Sequence, residues 1–249
     1  MYTFELLVRL PDGVATDALD GPLVAEASRL ASLLPNGTGV RVLHSLSHHR
    51  QEAQAADGND MTKFEGYLEH GLVPGATGVR IDRFDAILEV TLPEGADPED
   101  LLTAVAGLSD RLGTSIDIAG SAAVLGVDHE MIAGTAPLRL FVCLRRVPRL
   151  SHEEFADWWL NTLIEHTSKT PGKVAYRQLH ADPDLTSRAV KATGVGIDDV
   201  DGVALEFYPD LAGLSKAVDW ANQPRAAITA AEIQMIDFHH GGIITYAKP

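Results

Sequence analysis

The chain is poor in several things, and each shortage narrows its function. Cys143 is the single cysteine in 249 residues, so no internal disulfide framework exists and a reducing compartment fits. Basic residues are scarce: 20 Lys and Arg stand against 35 Asp and Glu, for a net charge of −15. Nucleic acid and anionic membranes are polyanions, so neither is an expected partner. Arg145-Arg146 is the nearest thing to a basic cluster. No apolar run approaches the roughly 20 residues of a membrane span. The first residues lack the basic-then-apolar pattern of a signal peptide, so a cytoplasmic protein is expected. Signature motifs are missing too. There is no GxSxG nucleophile elbow and no HExxH zinc helix. Gly194-Val195-Gly196 lacks the strand-to-helix setting of a phosphate loop.

What is present is an ordinary globular composition, 45% hydrophobic and 22% charged. It also carries an internal echo. Arg41-Val42-Leu43-His44 returns as Arg177-Gln178-Leu179-His180. Ala76-Thr77-Gly78-Val79 returns as Ala192-Thr193-Gly194-Val195, and Ile116-Asp117-Ile118 as Ile236-Asp237-Phe238. The order is kept at similar spacing, which points to a tandem duplication with units 1–134 and 135–249. Residues shared by both units are expected to serve the fold. Residues peculiar to one unit are the better functional candidates.

Each unit reads strand, helix, strand, strand, helix, strand. Strands are expected over 4–10, 40–46, 84–92 and 115–127, with helices over 21–34 and 98–112, the latter capped by Asp97. In the second unit strands are expected over 138–147, 174–180, 203–207 and 238–246. A helix opens at Ser151 with Glu154 completing a capping box, and a two-part helix spans 211–221 and 224–234. Twice βαββαβ gives an α+β fold of two tandem ferredoxin-like units, whose sheets face each other as a barrel around a cavity. The first unit carries a longer connection, 45–75, read as a lid over that cavity or a plain surface loop.

The stretches Arg146 to Ser151, Glu154-Phe155 through Trp158-Trp159, Tyr176 to His180, and Met235-Ile236-Asp237 resemble the EthD-like family of the dimeric α+β barrel superfamily. The likeness covers roughly 138–248. It implies a ferredoxin-like fold, a homodimer, and cofactor-independent chemistry on a small hydrophobic, aromatic or polyketide-like substrate. The family usually has histidine four residues after the tryptophan at the Trp159 position, and here that residue is Leu163. The departure puts the family mechanism in doubt. Three explanations stand: a natural change of chemistry, relocation of the base to a neighbour such as His166, or an engineered inactivating substitution.

The residues themselves nominate His180 first. Tyr176, Gln178 and His180 share one strand face and would form a polar wall of the cavity. A histidine titrating near neutrality suits proton transfer. Catalytic candidates are thus His180, His166, Tyr176 and His239. Trp159, Leu163, Gln178, His240, Asp237 and His44 are expected to bind substrate. His44 and His48 with His239 or His240 could hold a metal, but no tight ligand spacing supports it, so neither metal nor cofactor is expected. The leading expectation is a cofactor-independent lyase working by histidine acid–base catalysis. The alternatives are a haem- or metal-dependent oxidoreductase and a non-catalytic binder of hydrophobic ligands.

Overall fold

The computed structural model describes residues 1–15, 17–45, 84–197, 199–221, 235–236 and 243–248. The loop expected over 45–75 falls almost wholly outside them, as do Asp237, His239, His240 and the helix expected over 224–234. His48 is likewise outside.

The first unit contributes β1 (Tyr2–Val8), α1 (Asp17–Leu33), β2 (Gly39–Ser45), β3 (Ala86–Thr91), α2 (Pro98–Val105), α3 (Leu108–Leu112) and β4 (Ala122–Ile132). The second contributes β5 (Leu138–Leu144), α4 (His152–Trp158), α5 (Ile164–Thr167), β6 (Ala175–Ala181), α6 (Pro183–Thr193), β7 (Gly202–Tyr208), α7 (Leu211–Ala221) and β8 (Ile243–Lys248). Local signals set many of these ends. Asp97 accepts from the Glu99 amide at the start of α2. Ser151 and Glu154 form the reciprocal capping box of α4. The single helix expected over 98–112 is instead two, broken where Gly107 takes a left-handed φ of 67°.

The strands close one barrel in the order β1-β3-β2-β8-β5-β7-β6-β4, with β4 returning to β1. Within each unit the spatial order is fourth, first, third, second, the ferredoxin-like arrangement written twice. The seams are β2 with β8 and β4 with β6, so the barrel closes inside one chain. Helix α6 was not foreseen. It leaves the second unit and packs Leu185 and Ala189 into the helix-side core of the first, beside Leu101 and Leu125.

Alternation along each strand divides the side chains between two buried faces. Phe4, Leu6 and Val8 meet the helices, while Leu7 joins Ile87, Phe141, Leu179 and Leu205 inside the barrel. The same rule corrects the expected polar wall. On β6 it is Ala175, Leu179 and Ala181 that lie with the barrel interior. Tyr176, Gln178 and His180 point the other way, and Tyr176 packs in the core beneath α4. The expected catalytic face therefore looks at a helix layer and not at the space between the sheets.

Farther along the barrel interior lies a charged band. Glu89 accepts from Arg139 at 3.3 Å and from Arg41 at 3.1 Å. Asp128 accepts from Arg177 Nε at 3.0 Å and from Thr3 at 3.2 Å. Glu5 is fully buried directly opposite Glu89 in the β1–β3 register. Among the described residues neither of its carboxyl oxygens accepts a hydrogen bond. Burial, and then the Glu89 carboxylate, push its pKa well above the usual carboxylate range.

Candidate functional site

The site forms where α4 crosses β6 and β7. Phe155 and Trp159 lie on the inner stripe of the α4 segment. Immediately after α4 the chain makes one π-helical turn, Trp159–Leu163, a local widening frequent at functional positions. That turn sets the Trp159 indole against Gly202, where even a β-carbon would collide with the ring. Leu163 is buried in the same core, and His166 lies in α5 with a side chain outside the described set.

Trp159 and His180 are stacked, with centroids 4.4 Å apart and planes 6° from parallel. Trp159 Nε1 donates to Tyr176 Oη at 3.2 Å. Gln178 Nε2 donates to the Trp159 carbonyl and to Tyr176 Oη, both at 3.2 Å. Its Oε1 then faces His180 Nε2 at 2.9 Å. Those contacts orient the amide, since turning it over would set its oxygen against the Trp159 carbonyl. Oε1 can only accept, so His180 carries its hydrogen on Nε2 and leaves Nδ1 as the acceptor. The expected residues Trp159, Tyr176, Gln178 and His180 are thus one hydrogen-bonded chain.

The electrostatics correct the expected role of His180. Burial, then the nearby positive potentials of His129 and His152, lower its pKa to about 3. A group that titrates there is neutral at pH 7 and cannot serve as a general acid. Burial also raises the Tyr176 hydroxyl far above its usual pKa, so the phenol stays protonated.

Sequence reasoning missed three neighbours. His129 on β4 pairs in register with Gln178 and meets the His180 ring edge-on at 4.8 Å. Lys173 lies 4.4 Å over the Tyr176 ring and ion-pairs with Glu206 at 3.0 Å. His152 opens α4, where its Nδ1 is 3.2 Å from Asp201 Oδ1. No local pattern marks these groups: His129 and His152 meet partners far off in sequence, and the ion pair of Lys173 is with Glu206 on β7. His44 is the remaining described candidate, and it stands apart on β2, 3.3 Å from Asp20.

Beside the stack opens a cleft of about 370 Å³, lined by His152, Asp201, Arg145, Arg146, Asp199 and Thr186 among others. Ala181, the residue after His180, is part of its wall.

The alternative of a haem- or metal-dependent enzyme requires residues that fit such a group. His180 offers a neutral imidazole with an oriented Nε2–H, which is suitable donor chemistry. Its ring face is covered by Trp159 and its flank by His129, with 8% of the residue exposed. The cleft nearby mixes two Arg–Asp pairs with Pro148, Ala181, Pro183 and Val200. A macrocycle does not fit at this site as built. Among the described residues no group of three or more His, Cys, Asp or Glu is placed to hold a metal ion.

Comparison with known proteins gives the fold. No family model matches the chain, and no curated relative matches. The EthD-like likeness is therefore supported only at the coarser level of the α+β barrel. Among solved structures, an anthrone oxidase-like protein superposes with a TM-score of 0.56 at 11% identity, over 100% of this chain and 90% of its own. A protein named as a candidate chlorite dismutase gives 0.50 at 13% identity, over 99% and 93%. Both names belong to oxidative chemistry and neither to a lyase. The leading expectation of a cofactor-independent lyase is accordingly withdrawn.

Proposed function

We propose that the protein is an oxidoreductase, with the Trp159–Tyr176–Gln178–His180 chain as its fixed polar centre. The observation that carries this reading is the buried stack of a neutral imidazole on an indole, tied through Tyr176 and Gln178 into one hydrogen-bonded chain. Such a connected buried network is preorganised, so the His180 Nδ1 acceptor is held in place for a ligand at little reorganisation cost. Oxidative chemistry in two proteins of the same barrel supports the reading by analogy of fold. The EthD-like kinship of 138–248 belongs to the same proposal. So does self-association, which the barrel does not need for closure and which sedimentation velocity tests.

The test is turnover. Purified protein is assayed for oxygen uptake with anthrone and for chlorite decomposition, beside His180→Ala. Activity in either assay that falls at least tenfold in the variant supports the reading. Baseline rates in both assays, or equal rates in the two proteins, overturn it.

No helix among the described residues is long and apolar enough to cross a membrane.

A further inference from the structure

The cleft beside the stack contains a histidine built for a task that His180 cannot perform. His152 is the first residue of α4, 24% exposed at its side chain. Asp201 closes the turn before β7 and is 7% exposed at its side chain. It accepts from the Arg146 amide at 2.7 Å, pairs with the Arg146 guanidinium, and meets His152 Nδ1 at 3.2 Å. These partners hold its carboxyl below the usual range despite burial, so it is ionised. An ionised carboxylate fixes the His152 hydrogen on Nδ1 and leaves Nε2 as a lone-pair acceptor. Among the described residues Nε2 makes no hydrogen bond.

We propose that the His152–Asp201 pair is a general base, and that the cleft takes a small protic substrate, a phenol or enol, which it ionises. The proton of the substrate O–H passes to His152 Nε2. The O–H bond breaks with its electron pair left on oxygen, and the new imidazolium keeps its Nδ1–H directed at Asp201. Charge in the cleft favours the step. Arg145 and Arg146 offset Asp199 and Asp201, so the wall is neutral and the imidazolium–oxyanion pair adds no net charge. Nucleophilic catalysis is a poorer reading, because the Thr186 hydroxyl is already engaged with both the amide and the carbonyl of Leu125. The place is apt as well. His152, Phe155 and Trp159 follow one helical stripe, and Ala181 in the wall adjoins His180. An ionised substrate here would sit next to the proposed oxidative centre. The inference deepens that reading by naming the substrate's chemistry, and it rests on that reading only for this adjacency.

The test uses 4-nitrophenol, whose anion is coloured, at a pH where the free phenol is mostly protonated. Titration with the intact protein should produce saturable phenolate absorbance. His152→Gln should abolish it, and Asp201→Asn should weaken the apparent affinity at least tenfold, with circular dichroism unchanged in both. No saturable signal, or the same signal in His152→Gln, overturns the proposal. His152 is partly buried at the first position of α4 and outside the apolar core that Phe155 and Trp159 join, so its replacement leaves that core intact. The readout needs no turnover, so failure of the oxidase assays leaves it interpretable.

Discussion

Glu5→Gln isolates the least compensated group in the barrel. Glu5 is fully buried, faces Glu89 across the β1–β3 ladder, and accepts no hydrogen bond from described residues. Like charges directly opposite on a sheet repel. Its folded pKa is raised, so the native state holds the proton more tightly than the unfolded chain does. The associated stability is fully present below the ordinary value of 4.5 and is lost as pH rises through the folded value. Glutamine mimics the protonated carboxyl in shape without the option of ionising. Below pH 4.5 the two proteins should therefore differ little. Above it wild type should lose stability relative to Glu5→Gln by about 1.4 kcal/mol for each pH unit until its folded pKa is passed. Between pH 5 and 7 that is at most about 2.7 kcal/mol. Urea unfolding of both proteins across this range reads the difference directly, and every other titration cancels. Parallel stability curves, or a variant less stable at every pH, would refute the account of Glu5.

Trp159→Phe removes the Nε1–H donor to Tyr176 and part of the ring over His180, and should cost about 1–3 kcal/mol in urea unfolding. A loss under 0.5 kcal/mol would mean that the indole nitrogen is not anchored. His180 should show no titration by NMR between pH 5 and 8 and a midpoint near 3. Its depressed folded value makes its stability contribution present above about 6.5 and lost as pH falls toward 3, by about 1.4 kcal/mol per unit. A midpoint near 6.5 would show that the ring is hydrated and not stacked.

The elements legible from sequence are those whose cause is local. Asp97 and the Ser151–Glu154 box mark helix starts because a cap bonds to its own helix. Strand alternation showed that Tyr176, Gln178 and His180 share a face, and they do. It could not show which face, because helices cover one side of the sheet and the barrel interior fills the other, so both sides are apolar. Helix α6 was hidden for a related reason. Its apolar residues Leu185 and Ala189 serve the first unit's core, so nothing in the repeat pattern required it. His152 is inconspicuous in the sequence because its neighbours announce a helix cap, and its partner Asp201 is 49 positions away. The band of Glu5, Glu89, Arg139 and Arg177 was invisible because its members come from four strands.

The expected duplication implies that shared residues serve the fold, and one pair qualifies that rule. His44 and His180 are each the sixth residue of the second strand in their unit. Each pairs with the first residue of the third strand, Ala86 for His44 and Gly202 for His180. Their environments nevertheless diverge: His44 keeps a half-buried contact with Asp20, while His180 is sealed under Trp159. The partner residue explains the difference, since a β-carbon at 202 would also lie 2.5 Å from the Leu179 carbonyl oxygen while striking the indole. Gly202→Ala restores the first unit's residue. It should displace Trp159 at a cost of about 1–3 kcal/mol, as overpacking does. With the ring moved, water reaches His180, and its pKa should climb from about 3 toward 6.5. NMR titration of the folded variant decides the matter. A His180 that still titrates near 3 would show that the remaining core, rather than the stack, keeps it neutral, and that loss of the β-carbon at 202 did not create the site.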